Sequence, residues 1–237
     1  MPTVSTVLGG VALAIAVLSP NITHAAELIT NGDFEAHTAT LNMYGFATLA
    51  PGSTDLTGWT VTQGTVDIVP GSYWQPSGGG NSIDLTGTPG QGGLSQTFST
   101  LAGTEYLLLF DLAPNPENTD TNEITLNKVL DVLLRSNGGL TLQAHQYDLS
   151  VGSASISNMA WNTHALVFTA DDALTTLSFT SIGTGVFCGP VIDNVSVDFA
   201  PGGPPPDDEG GPRDVPEPAS LAIMGLGAVA LLHRRRK

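Results

Sequence analysis

Gly189-Pro190-Val191-Ile192-Asp193-Asn194-Val195-Ser196-Val197-Asp198-Phe199 is the stretch that decides the fold class of this 237-residue chain. Branched and aromatic side chains alternate with short polar ones, the pattern of a strand that turns one face to a core. By the two-residue period Val191, Val195, Val197 and Phe199 share a face, and Asp193 falls on that face with them. A carboxylate carried inward and left alone costs several kcal/mol. The period therefore requires Asp193 to meet a cation, a set of N–H donors or a metal.

Upstream, runs of the same kind recur between clusters of Gly, Pro and Asn, while segments of helical period are hard to find. Strands are expected at Trp59 to Val69, Ser82 to Leu85, Leu94 to Ser99, Glu105 to Leu112, Lys128 to Arg135, Leu140 to Leu149, His164 to Thr169, Thr175 to Thr180 and Val191 to Phe199. About nine strands joined by glycine-rich connections such as Gly78-Gly79-Gly80 predict an all-β sandwich. Residues 27–200 are enough for one core that buries about 70% of its unfolded surface, so one domain is expected there.

Within that window seventeen acids stand against two bases, Lys128 and Arg135, so the formal net charge of −15 belongs to this body. Nucleic acid is excluded as a partner. An excess of carboxylates suits divalent cations or solubility. Cys188 is the single cysteine, so no intrachain disulfide forms, and its neighbours Gly185-Val186-Phe187 suit a buried small hydrophobe.

Both ends leave the β pattern. Val7 to Leu18 is a short apolar run followed by Pro20 and Thr23-His24-Ala25, which reads as a signal helix over residues 1–25. It departs from the usual form in having no Lys or Arg before it. Residues 201–214, with Pro204-Pro205-Pro206-Asp207-Asp208-Glu209, cannot bury apolar surface and read as a spacer. Residues 215–237 then fall into three parts. Pro216-Glu217-Pro218 is stiff and extended. Ala219 to Leu232 is uncharged and as a helix reaches about 21 Å, short of a roughly 30 Å hydrocarbon core. His233, Arg234, Arg235, Arg236 and Lys237 form a cluster that stays cytoplasmic. A simple tail anchor has similar parts. Their order closely resembles the PEP-CTERM sorting signal of Gram-negative, exopolysaccharide-producing bacteria. The resemblance implies transient membrane insertion through the short C-terminal helix and cleavage near Pro216-Glu217-Pro218 by an exosortase. The body would then reside in the cell envelope, at the cell surface or in the extracellular matrix.

Candidate chemistry is sparse. In Asn31-Gly32-Asp33-Phe34-Glu35 two carboxylates stand at i, i+2, on one side of an extended chain. With Asp193 they would make an oxygen cage of the kind Ca²⁺ prefers. The alternative is that Asp193 accepts N–H bonds and Asp33 belongs to an Asn-Gly turn. Glu117-Asn118-Thr119-Asp120-Thr121-Asn122-Glu123 lacks the spacing of an EF-hand and reads as a solvated loop. Ser72-Tyr73-Trp74-Gln75-Pro76 sets two aromatics among Gly and Pro, so Tyr73 and Trp74 are candidates for a sugar-binding platform; the other reading is a lid over one end of the sandwich. Trp59 and Trp161, at strand starts, are expected in the core. There is no His-Glu-x-x-His, Gly-x-Ser-x-Gly or P-loop, and no catalytic residues are assigned.

Six motifs in order, Asn31-Gly32-Asp33-Phe34-Glu35, Gly58-Trp59, Gly64-Thr65-Val66-Asp67, Ser82-Ile83-Asp84-Leu85-Thr86-Gly87, Leu94-Ser95-Gln96-Thr97-Phe98 and Gly189-Pro190-Val191-Ile192-Asp193-Asn194-Val195, resemble the choice-of-anchor C family. That family is similar to the plant cell-wall group named domain of unknown function 642. The resemblance implies a galactose-binding-like jelly-roll β-sandwich and, through more distant carbohydrate-binding modules, a structural Ca²⁺ held by Glu35 and Asp193. The function expected is an exported protein that binds a polysaccharide of envelope or matrix. A structural matrix protein without a sugar site and a polysaccharide-modifying enzyme are the alternatives.

Overall fold

The computed structural model describes residues 27–117 and 127–201. The expected signal helix, the acidic stretch after Glu117, the spacer beyond Pro201 and the sorting segment lie outside the described residues. Within them are thirteen strands and no helix. One antiparallel sheet runs β1 (Ala47–Leu49), β3 (Val66–Pro70), β4 (Asn81–Asp84), β13 (Pro190–Phe199), β8 (Glu105–Pro114) and β11 (Asn162–Thr169). The other runs β10 (Thr141–Leu149), β9 (Lys128–Ser136), β12 (Leu174–Ser181), β7 (Gly93–Ser99) and β2 (Thr60–Gln63). A short hairpin pairs β5 (Thr86–Gly87) with β6 (Gly90–Gln91). The all-β sandwich read from the sequence is the architecture observed.

Alternation builds the core. Tyr106, Leu108, Phe110 and Leu112 of β8 point to one side, as do Leu130, Val132 and Leu134 of β9, and all are buried. The two sheets meet through aromatic edges: Phe110 lies 5.2 Å from Phe179 of β12, and Phe98 of β7 lies 6.4 Å from Phe168 of β11. Trp59 is in this core, 5.4 Å from the ring of Phe34, with its indole N–H donated to the Asn31 carbonyl at 2.9 Å.

Two local features differ from the sequence reading. The single strand expected over Trp59 to Val69 is two strands, β2 and β3, in opposite sheets. The chain turns between them at Gly64, whose φ of +49° favours glycine and whose missing Cβ would lie 2.0 Å from the Gln91 carbonyl oxygen. The second difference lies in β13. Its register with β8 shifts between Asp193 and Ser196, and Asn194 has a φ of +48°, which marks a β-bulge. The extra residue flips the alternation. Ile192, Val195 and Val197 face the main core, whereas Val191 faces the reverse side of the sheet, and Asp193 follows Val191. The face that the two-residue period assigned to Asp193 is therefore corrected.

That reverse side is not bare. Val69, Ala113 and Val191 pack there with Trp74 and Met159 in a second, smaller apolar cluster, with Tyr73, Phe46 and Trp161 against it. The segment 71–77 is fastened over it by the Trp161 N–H to the Gln75 carbonyl (2.9 Å) and the Gln75 N–H to the Ile156 carbonyl (2.8 Å).

Candidate functional site

The reverse face carries acids among its apolar residues. Asp67 on β3 and Asp84 on β4 are register partners, so their side chains stand side by side on one face. Asp84 is 3% exposed and well supplied with donors. Its Oδ1 accepts the Thr86 and Gly189 N–H groups at 2.9 and 3.0 Å, and its Oδ2 accepts the Asn115 amide at 2.7 Å. Burial pushes its carboxyl up to about 7, against the pull of those donors and with a push from Asp67. Asp67 is 5% exposed and less well matched. Its Oδ2 accepts the Thr88 hydroxyl at 3.0 Å, while its Oδ1 has no hydrogen-bond partner among the described residues. Burial raises its pKa as well, partly offset by the hydroxyls of Thr48 and Thr88. Nearby, the buried Lys128 ammonium donates to the Cys188 carbonyl; burial holds its pKa below the usual lysine range.

Above these acids aromatic side chains wall a cavity of about 390 Å³, lined by Tyr44, Phe46, Tyr73, Trp74 and Phe187 together with Asp67, Asp84 and Glu117. That volume is within the range of small-ligand sites. Tyr44 is 69% and Phe187 38% exposed, so they form the rim. Tyr73 is half-buried and donates its hydroxyl to Glu117 at 2.9 Å; burial and that bond to a carboxylate push its phenol up to about 12. Trp74 is only 3% exposed, with its N–H on the Ser82 hydroxyl at 2.8 Å. Tyr73 and Trp74 thus reach one site, Tyr73 as wall and Trp74 as buried backing.

Glu35 and Asp193 lie elsewhere and share a different task. Glu35 accepts the backbone N–H groups of Gly80 and Asn81 and the Asn81 side-chain amide. Asp193, fully buried, accepts the N–H groups of Ser77 (2.9 Å), Gly78 (3.0 Å) and Asn194 (2.8 Å). The two carboxylates grip opposite ends of the loop from Ser77 to Asn81. Gly79, at a φ of +56°, is pressed so close that an added Cβ would lie 2.4 Å from a Glu35 oxygen. Six N–H donors occupy most of the roughly eight lone-pair sites of the two groups. Among the described residues no three His, Cys, Asp or Glu side chains converge to hold a metal. Arranged so, Glu35 and Asp193 spend their oxygens on N–H donors, and a Ca²⁺ bound by both would have to displace some of them. Asp33 is exposed.

Sequence reasoning missed Tyr44, Phe46, Asp67, Asp84, Glu117 and Phe187 as members of one site. A signal for two of them was present: Asp67 and Asp84 sit inside apolar runs, like Asp193. His145 and His164, apart in sequence, meet through Tyr147, whose ring lies 4.4 and 4.5 Å from theirs.

Among known proteins the chain is 31% identical over 208 residues to Halomucin of Haloquadratum walsbyi, across 86% of this chain and 2% of that protein. Its shape is similar to a solved CBM4 module (TM-score 0.41, 16% identity, 73% of this chain and 99% of that one). It is also similar to TmCBM61 in complex with β-1,4-galactotriose (0.43, 11%, 74% and 100%) and to a family 35 carbohydrate-binding module from Clostridium thermocellum (0.40, 15%, 65% and 99%). Residues 214–237 match the PEP-CTERM protein-sorting motif, which marks an exported protein of the Gram-negative cell envelope. Residues 27–198, the whole of the sandwich but the last residue of β13, match the protein family described as protein of unknown function (DUF642), and the chain belongs to that family.

Proposed function

We propose that this sandwich is a non-enzymatic carbohydrate-binding domain of an exported protein, processed by an exosortase near Pro216-Glu217-Pro218 and retained by polysaccharide of the envelope or matrix. The observation that carries the reading is the cavity on the reverse face of the six-stranded sheet. Its aromatic walls suit the apolar faces of sugar rings, and its carboxylates accept hydroxyl hydrogens.

One observation favours an enzyme instead: two neighbouring carboxylates with raised pKa values are a pattern of acid–base sites. Asp84 argues against it, since its oxygens already hold Thr86, Gly189 and Asn115 in place. A glycan array with the wild-type body and with Tyr44→Ala/Tyr73→Ala tests the proposal. Binding by the wild type and its loss in the variant are expected. Binding of neither to any glycan leaves a structural matrix protein, equal binding of both removes the sugar site from this cavity, and release of reducing sugar from a bound glycan makes the domain a hydrolase.

A further inference from the structure

The cavity has a charge that a neutral sugar does not need. Asp67, Asp84 and Glu117 line it, and among the described residues no Lys, Arg or His does. Asp67 and Asp84 are opposed in register, so the two carboxyl groups stand side by side on the cavity floor. Every oxygen of Asp84 is engaged, and Glu117 holds the Tyr73 hydroxyl. Asp67 alone has an oxygen, Oδ1, that is buried and has no hydrogen-bond partner among the described residues. An unmatched buried carboxylate oxygen is a standing cost that a ligand donor would relieve. The buried Lys128 ammonium, near Asp84, donates to the Cys188 carbonyl and makes no hydrogen bond to Oδ1 of Asp67.

Three chemistries could neutralise such a floor. A divalent ion favours several converging carboxylates, and among the described residues no three His, Cys, Asp or Glu side chains converge. A bare hydroxyl donates to Oδ1 but brings no charge to match that of the Asp67 carboxylate. A protonated amine does both, since a charge-assisted hydrogen bond is roughly twice as strong as a neutral one. It is also attracted to the faces of aromatic rings, of which Tyr44, Tyr73 and Phe187 line the same cavity.

We propose that the cavity is a receptor for a protonated amino sugar, so that the polysaccharide it holds is one carrying unacetylated hexosamine, with Asp67 as the residue that reads the amine. The proposal rests on the reading of this cavity as a carbohydrate site and names the class of carbohydrate.

Three hexamers with one β-1,4 backbone and different groups at C2 test it: the glucosamine hexamer (ammonium), the N-acetylglucosamine hexamer (amide) and cellohexaose (hydroxyl). Titration calorimetry of the exported body in mildly acidic buffer of low ionic strength should show the glucosamine hexamer bound about tenfold tighter than either other oligomer, the margin expected of one charge-assisted bond. The margin should shrink as salt is added. Asp67→Asn should bring the ratio of the ammonium to the hydroxyl oligomer toward one. Should that variant fail to fold, the order of the three oligomers on the wild type decides alone. Equal affinities, or tighter binding of the amide or hydroxyl oligomer, overturn the amine assignment while leaving a carbohydrate site. Binding of none of the three overturns it too, and the array then shows separately whether any glycan is held.

Discussion

Asp84 gives the fold a pH dependence that can be worked through. Its carboxyl is 3% exposed and lies at about 7, against an ordinary value of 3.8. The sign follows from which state releases its proton first. Below about pH 4 both the folded and unfolded forms are protonated, and the group contributes nothing to the pH dependence. As pH rises toward 7 the unfolded chain releases its proton while the fold retains it, so stability falls, and the fall ends once the folded group ionises as well. About three pH units at 1.36 kcal/mol each make roughly 4 kcal/mol between acid and neutral conditions. In a domain of this size that is about 8–16 °C in melting temperature. Asp193, raised to about 6 by burial, acts in the same direction, and Asp111, lowered by the Ser77, Thr163 and Asn194 donors, acts in the opposite one.

The assay therefore compares two proteins rather than two pH values. Asp84→Asn removes the titration and leaves the other groups in place. Urea unfolding of wild type and variant from about pH 4 to about pH 8 should show their stability difference changing by about 4 kcal/mol, with the wild type gaining toward acid. A difference constant with pH refutes the reasoning. It would mean that Asp84 is ionised in the fold, with Lys128 as its counter-ion and not merely a neighbour.

Gly64→Ala should cost about 3 kcal/mol in urea unfolding, from the left-handed φ and the overlap with the Gln91 carbonyl; a loss under about 1 kcal/mol contradicts the corner between the sheets. Adding Ca²⁺ or a chelator should leave the melting temperature of the body unchanged, because Glu35 and Asp193 already carry six N–H donors; a rise of several degrees with Ca²⁺ would show that the loop from Ser77 to Asn81 gives way to a cation. Mass spectrometry of the protein recovered from the cell surface should find a C-terminus near Pro216-Glu217-Pro218 without Arg234, Arg235 and Arg236; an intact basic end removes the exosortase from the proposal.

Most strands were legible because the core reads each side chain by parity. Tyr106, Leu108, Phe110 and Leu112 announce a buried face in any register, and every expected strand has a counterpart in the sheets. Parity fails where the backbone inserts or turns. Nothing in Val66 beside Val61 says that a corner at Gly64 sends them to different sheets, since both are buried in the same core from opposite sides. Similarly, Val191 and Val195 look like one face until the bulge at Asn194 separates them. Trp74 reads as either a platform or a lid, because Gly, Pro and Ser lie around it in the sequence. Its burial comes from Val69, Ala113, Met159 and Val191, brought by four other segments.

The acids show why half of a site can be read in advance. A carboxylate within an apolar run signals that burial must be compensated, and the signal is the same at Asp67, Asp84 and Asp193. How it is compensated depends on partners remote in sequence. Asp193 takes backbone donors from a loop more than a hundred residues away. Asp84 takes Gly189 and Asn115 and so ties three connections together. In both, the chain supplies what burial demands, and the residue is part of the scaffold. At Asp67 the chain stops one donor short, beside aromatic rings and an open cavity. Among three residues with one sequence signature, the one the fold leaves unmatched is where a ligand has something to contribute.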